Sequence, residues 1–360
     1  METAPVTKRF VVFLSQLREE PHNTDIQLAQ MTMKMKEQAE RDGFFWWSPK
    51  TEILGVDFQI LLIDRRPLQF LRYREESLDL IKRAMRAAKK VGATDIGLGS
   101  LVASVSHSGQ DLVEEADQLG LRLDHGDDMS MALAYSAAKK LGNLGLPLQR
   151  VCLGIVGAAG LMGAGFARLM ASEVNSMVLV VRDPEDPKVT GLVDDLQRIN
   201  QLLLVTISKD FTALRQGGCE LIFTAHSSPE SRILPEHVTP AAFVLDACIP
   251  PAVREEDFLG WPVSILPVGC GVLPKAIAPR GIGVDLGMGQ DENNGRTTYG
   301  CMLGCILSAS VLSTKHNIKS IDPPVSQYLL KQGALNGIAH QPFPQSEMAI
   351  AEKLRTLYIH

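Results

Sequence analysis

The sequence predicts an α/β protein with a parallel sheet and crossover helices. Three observations carry that expectation. Apolar runs of strand length alternate with helix-sized segments from Val151 to Leu245. One of them, Val151 to Val156, runs directly into Gly157-Ala158-Ala159-Gly160-Leu161-Met162-Gly163 and then into a helix of small residues. The chain has 360 residues, 45% hydrophobic and 21% charged, which is core enough for two or three domains.

The first part of the chain is alternating strand and helix material. Phe10 to Leu14 is a short strand. Asn23-Thr24 caps a helix on which Leu28, Met31, Met35 and Ala39 recur at helical spacing. Phe44-Phe45-Trp46-Trp47 is the densest aromatic cluster, and such clusters more often pack between elements than face a ligand. Val56 to Ile63 reads as a strand, turned by Asp64-Arg65-Arg66-Pro67. Glu75 to Lys90 is a helix with an apolar stripe of Leu78, Ile81, Met85 and Ala88, stopped by Gly92. Ile96 to Val105 fits a strand leading into a functional loop. Gly126-Asp127-Asp128 opens a helix through Met129, Leu133 and Ala137, with both acids at its positive end. Gly142, Gly145 and Pro147 end it and mark a boundary.

After Gly163 the helix runs from Ala164 to Ala171, and Met177 to Val181 is the next strand, ending in Arg182-Asp183. Leu192 to Ile199 is helical in pattern. Leu202 to Ile207, Glu220 to Thr224 and Phe243 to Leu245 are strands. Beyond Pro262 the rhythm loosens, with glycines between Gly281 and Gly289 and a polar loop at Asp291 to Gly295. Cys301 to Leu312 is a small, apolar, buried helix, and Val325 to His360 is interrupted helical material.

Charge and cysteine usage exclude several classes. Lys plus Arg is 36 against 41 Asp plus Glu, so the net charge is −5 and generic nucleic-acid binding is disfavoured. The six cysteines contain no CxxC pair and make no disulfide framework. The eight histidines form no ligand series, so no metal site is expected. The first ten residues lack a signal-peptide pattern and no apolar run has transmembrane length, which points to a cytoplasmic protein.

The glycine pattern is the strongest chemical signal. Its spacing is GxxGxxG rather than GxGxxG, yet it meets the same physical need. Glycine permits a tight strand-to-helix turn and close approach of backbone to a pyrophosphate. The helix amino terminus then offers unpaired N–H groups to the phosphates. Gly157, Ala158, Ala159, Gly160, Leu161, Met162 and Gly163 are therefore the candidate cofactor-binding residues. Arg182 stands where an NAD site presents an acid to the ribose, and its planar fork suits the 2′-phosphate of NADPH. Asp183 beside it opposes that preference. Thr224-Ala225-His226-Ser227-Ser228 follows a later strand, which makes Ser227 or Ser228 a candidate to touch the nicotinamide or its ribose and His226 a candidate acid or base. A plain polar strand-to-loop transition is the alternative there.

Among possible nucleophiles the thiols stand out. Cys301 follows a polar, glycine-rich loop and begins a helix, where a thiolate is stabilised. Cys305 lies one turn deeper and reads as core. A buried free cysteine is otherwise just a small hydrophobe.

From Gly97 to the tail the chain resembles the cyanobacterial-type, NADPH-dependent long-chain fatty acyl-[acyl-carrier-protein] reductases, which release fatty aldehydes. The resemblance rests on Leu98-Gly99-Ser100-Leu101, Gly157 to Gly163, Arg182, Asp246 to Pro250, Tyr299-Gly300-Cys301 and Gly333 to Phe343. Gly126 to Ser130 and Asp246-Ala247-Cys248 depart from its pattern. It implies an amino-terminal α/β substrate domain over 1–145, a Rossmann NADP-binding domain over 146–300, and C-terminal helices over 301–360 packing across the interdomain cleft. It also implies a place in lipid metabolism. Cys301, with Tyr299 assisting, would attack an acyl thioester delivered by an acyl carrier protein, and NADPH would reduce the acyl-enzyme to an aldehyde. The basic helix face of Lys82, Arg83, Arg86, Lys89 and Lys90 is then a possible dock for the carrier, though such a run is more often an ordinary solvated face. Two other readings stand beside this one. The first is a direct ketone or imine reductase in a shikimate-dehydrogenase-like layout, with Asp127, Asp128 or His107 polarising the substrate and no covalent cysteine. The second is a non-catalytic NADP-binding sensor.

Overall fold

In the computed structural model of the chain, the described residues are 8–16, 45–63, 65–99, 101–226, 231–248, 251–275, 277, 296–311 and 315–358. The helix expected around Leu28 to Ala39, Phe44, and the polar loop 281–295 lie outside them. The chain divides into two compact units. One comprises Met1–Ser130, Gly271–Ser320 and Tyr328–Ala339; the other Met131–Cys270, Ile321–Gln327 and His340–His360.

The first unit is built on a sheet in the order β2-β4-β1-β5-β6. The strands are β1 (Phe10–Gln16), β2 (Phe45–Trp47), β3 (Thr51–Ile53), β4 (Val56–Ile63), β5 (Asp95–Leu98) and β6 (Arg122–Asp124). β4, β1, β5 and β6 run parallel, while β2 and β3 pair antiparallel with β4. The turn between β3 and β4 places both Leu54 and Gly55 at positive φ, the geometry that suits the right-handed twist of a hairpin. Trp47 is buried in the core of this unit, the packing role expected of the aromatic cluster.

Helices α1 (Pro67–Arg72), α2 (Arg74–Lys90), α3 (Leu101–Val105) and α4 (Val113–Leu119) add Phe70, Ile81, Met85, Val102 and Ala116 to that core. The segment expected as one strand from Ile96 to Val105 is divided. β5 ends at Leu98, and the Val102 amide donates to Gly99 O at 2.9 Å to start α3. Helix formation buries Leu101, Val102, Ala103 and Val105 together, which an extended chain with alternating faces does not do. On α2, Arg86 makes a two-pronged pair with Glu115 and Lys89 donates to Gly120 O, so the basic face is partly engaged within the unit.

Helix α5 (Asp127–Leu144) carries the chain into the second unit. There a six-stranded parallel sheet has the order β12-β11-β10-β7-β8-β9. Its strands are β7 (Cys152–Val156), β8 (Ser176–Val180), β9 (Leu204–Ser208), β10 (Cys219–Thr224), β11 (Phe243–Asp246) and β12 (Ser264–Pro267). Numbered from β7, this is the doubly wound order 3-2-1-4-5-6 of a Rossmann sheet. Helices α6 (Leu161–Met170), α7 (Pro187–Ile199) and α8 (Thr212–Gln216) make crossovers. α7 starts early because Pro187 presets the first turn and Asp186 caps it by accepting the Lys188 amide. β9 starts late because Asn200 binds the Leu202 amide and holds that residue in the turn.

The remaining elements are β13 (Cys270–Val272), β14 (Thr297–Tyr299), α9 (Gly300–Val311), α10 (Pro323–Leu335), β15 (Ala339–His340) and α11 (Glu347–Tyr358). α9 is apolar on nearly every side and packs over β1, β4 and β5 of the first unit.

In the second unit Phe166 of α6 stacks on Phe223 of β10, ring centres 4.0 Å apart, both fully buried. Replacing Phe166 with Ala empties that contact. Urea unfolding followed by circular dichroism should register a loss of about 3–5 kcal/mol.

Candidate functional site

The turn after β7 is dictated by close backbone contacts. Gly157 sits at φ +83°, and a Cβ there would lie 2.4 Å from Ala225 O, at the end of β10. A Cβ on Gly163 would lie 2.3 Å from Gly157 O. Both positions are therefore closed to any side chain. The Gly160 amide donates to Gly157 O at 2.9 Å, and Gly160 is the cap residue of α6. The Ala164 amide donates back to Gly160 O. This leaves the amides of Leu161, Met162 and Gly163 at the open first turn of the helix, where an anion is stabilised. Ala158 is fully buried, and Ala159 keeps the mouth of the turn small.

β8 delivers Arg182 to the same end of the sheet. Arg182 is exposed and forms no ion pair with a described residue. The neighbouring Asp183 is engaged locally. Its carboxylate accepts the Glu185 amide at 3.0 Å and shapes the turn into α7. The structure thus separates two residues that the sequence left in competition.

At the ends of β10 and β11 a buried carboxylate organises the loops. Asp246 accepts hydrogen bonds from Thr224 Oγ1 at 2.5 Å and from the amides of Cys248 and Val253 at 2.9 and 3.1 Å. The His226 amide donates to Cys248 Sγ, and burial pushes that thiol up to about 12. Ser227 lies outside the described residues. Sequence reasoning missed the Asp246 network because its side-chain partner, Thr224, is 22 residues away in the chain.

The first unit has its own polar cluster. Asp95 accepts from both Arg9 and Arg122, and Arg122 also reaches Asp124 and Ser308. Asn317 donates to Asp124 and Asp128 at 3.1 and 3.0 Å. His125 Nδ1 accepts the Asp127 amide, which leaves Nε2 to face Ser320 O at 3.4 Å. His107 is on the surface, beside Asp111 and Arg74.

Cys301 is in the first turn of α9, with Tyr299 on β14 just before it. Its carbonyl lies so close to Gly126 that a Cβ there would be 2.0 Å away. Glycine at 304 is needed for the same reason, because its Cβ would meet Gly126 O at 2.1 Å. One turn on, Cys305 is buried and its thiol is pushed well up, first by burial and then by Asp124 and Cys301, with Asp127 adding to it. Arg122 opposes that shift at Cys305.

Among the described residues no group of three His, Cys, Asp or Glu side chains is placed to hold a metal ion, and no helix is long and apolar enough to cross a membrane.

The second unit has the Rossmann-type α/β arrangement, the fold of NAD(P)-binding domains. The chain matches no family model and no curated protein sequence. Solved structures similar to it include L-tryptophan dehydrogenase from Nostoc punctiforme, at 11% identity over 97% of this chain and 87% of that one, TM-score 0.40. Ornithine carbamoyltransferase from Gloeobacter violaceus aligns at 13% identity over 84% of this chain and 86% of that one, TM-score 0.40. Iminosuccinate reductase of Paracoccus denitrificans, in complex with NAD+, aligns at 22% identity over 32% of this chain and 35% of that one, TM-score 0.25. The chain therefore spans about a third of the length of the iminosuccinate reductase.

These findings correct the expected resemblance. The similar structures are a dehydrogenase, a reductase and a transferase with other named substrates, not fatty acyl-[acyl-carrier-protein] reductases. The acyl thioester, the fatty aldehyde, the link to lipid metabolism and the Cys301 acyl-enzyme fall with it. What the structure shows at Cys301 is the close approach of its backbone to Gly126.

Burial raises Asp127 to about 6 in the folded chain; His125 opposes the shift, while Asp128 and Asp124 add to it. The unfolded chain releases that proton near the ordinary value of 3.8. Between the two values the folded state holds more protons, so stability falls as pH rises through this window. Asp127→Asn should match the wild-type melting temperature at about pH 4. At about pH 7.5 it should exceed the wild type by an amount on the order of 1–3 kcal/mol, measured by calorimetry.

Proposed function

We propose that the chain is an NAD(P)H-dependent oxidoreductase that passes hydride directly between the nicotinamide and a ketone or imine carbon. The observation that carries this reading is the Rossmann strand order with a side-chain-free turn at the end of its first strand. Bound there, the cofactor supplies the hydride. The amides of Leu161, Met162 and Gly163 hold the pyrophosphate, while Gly157, Ala158, Ala159 and Gly160 let it approach. Ser227 is assigned to the nicotinamide ribose. Arg182 supports NADPH over NADH, since its guanidinium forms no ion pair with a described residue and Asp183 is occupied by its own turn.

The amino-terminal unit is read as the substrate domain of a shikimate-dehydrogenase-like layout. Within it Asp127 holds a proton at near-neutral pH better than an ordinary carboxyl, because burial disfavours its charge. Asp127, Asp128 and His107 are the candidates to polarise the substrate or give it a proton. No step needs a thiolate.

The test is nucleotide binding and turnover on the purified chain. Fluorescence titration should show NADPH binding more tightly than NADH. Arg182→Ala should weaken NADPH roughly tenfold to a hundredfold and leave NADH nearly unchanged. Oxidation of NADPH with a panel of 2-keto acids and cyclic imines should persist in Cys301→Ala. Failure to bind either nucleotide sinks the proposal, and tight binding without turnover across the panel would support a sensor instead.

A further inference from the structure

At the opposite end of β7 from the glycine turn, two thiols meet. Cys152 opens β7 and Cys219 opens β10, and the two residues are register partners on adjacent strands. Their sulfurs are 3.6 Å apart. The sequence builds this contact in two ways. The register shifts between Cys219 and Leu221, so that Glu220 is an extra residue and Cys219 comes level with Cys152. Glu220 then accepts the Cys152 amide at 3.0 Å. Gly154, two residues along on the same face of β7, supplies the space: a Cβ there would lie 3.2 Å from Cys219 Sγ. Cys152 is partly exposed and Cys219 is buried.

We propose that Cys152 and Cys219 are a thiol–disulfide pair, with Cys152 the attacking thiol and Cys219 the resolving one, oxidised by a low-molecular-weight disulfide. The step balances as two exchanges. Cys152 sulfur, as thiolate, attacks one sulfur of the small disulfide; a mixed disulfide forms and the first small thiolate leaves. Cys219 sulfur then attacks Cys152 sulfur, forming the protein disulfide. The second small thiolate leaves and takes up the Cys219 proton. The protein loses two electrons, and the small disulfide is reduced to two thiols.

The division of roles follows from access and charge. The attacking sulfur must be reached from solvent, and Cys152 is the exposed partner. Its thiol is brought down to about 7 chiefly by the hydrogen bond with Cys219, opposed by burial and by Glu220 and helped by Ser176 on β8. Cys219, buried beside that developing negative charge, is shifted upward and keeps the shared proton. Both members lie in the second unit, and the inference does not depend on the nucleotide reading.

The experiment is incubation of the whole folded chain with oxidised glutathione, followed by alkylation, non-reducing digestion and peptide mass mapping. The expected product is a Cys152–Cys219 linked peptide, two hydrogens lighter than its reduced pair and lost on treatment with dithiothreitol. Cys219→Ser should stop at a glutathione adduct on Cys152, and Cys152→Ser should give neither product. The decisive reading is on the wild type, so a poorly folding variant does not blunt it. The proposal is overturned if wild-type Cys152 remains an alkylatable thiol or stays as the adduct without linking to Cys219. It is likewise overturned if the linked peptide forms only in denaturant.

Discussion

The carbonyl of Ala225 sets the geometry on which the second unit turns. It stands where a side chain on Gly157 would have to be, so the strand-to-helix turn has to be made by bare backbone. Gly163 repeats the constraint one helical turn on, against the carbonyl of Gly157 itself. Three pieces of chain, β7, α6 and the end of β10, are thereby drawn closer than side chains allow. The amides of Leu161, Met162 and Gly163 are left at the open first turn of the helix as a result.

The first unit depends on a different kind of closeness. Asp95, Arg122 and Asp124 are almost completely buried, and each charge is answered by another or by Ser308. Such a group is not in itself a large gain in stability, because desolvation offsets much of the attraction. Its members are nonetheless mutually dependent. Removing either carboxylate leaves the buried Arg122 guanidinium with one counter-charge in place of two. The partners come from β5, β6 and α9, so the network ties a late helix to strands formed early in the chain.

Much of this was legible in the residues. The apolar runs of β1, β4, β7, β8 and β10 and the glycine turn announce themselves because one short window contains the whole signal. β6 and β12 did not, since three or four residues carry no periodicity of their own and become strands only beside a neighbour. α3 was hidden for a related reason: an apolar run satisfies both periods until Gly99 breaks it. The Asp246 and Arg122 networks were out of reach because their spacing is set by sheet register rather than by sequence distance. The Cys301 acyl-enzyme reading fell with the resemblance that carried it, because the similar solved structures are not fatty acyl reductases. A three-residue motif cannot report who its neighbours are.

The chain passes between its two units five times, at 130/131, 270/271, 320/321, 327/328 and 339/340. Neither unit is therefore a continuous stretch that a gene fragment could encode. A truncation after the long helix α5 would remove α9 and uncover the apolar face of β1, β4 and β5. It would also take Ser308 and Asn317 from the buried acids they satisfy. Work that dissects the protein has to proceed by point substitution, or by circular rearrangement that keeps every segment, because the halves are woven before they are folded.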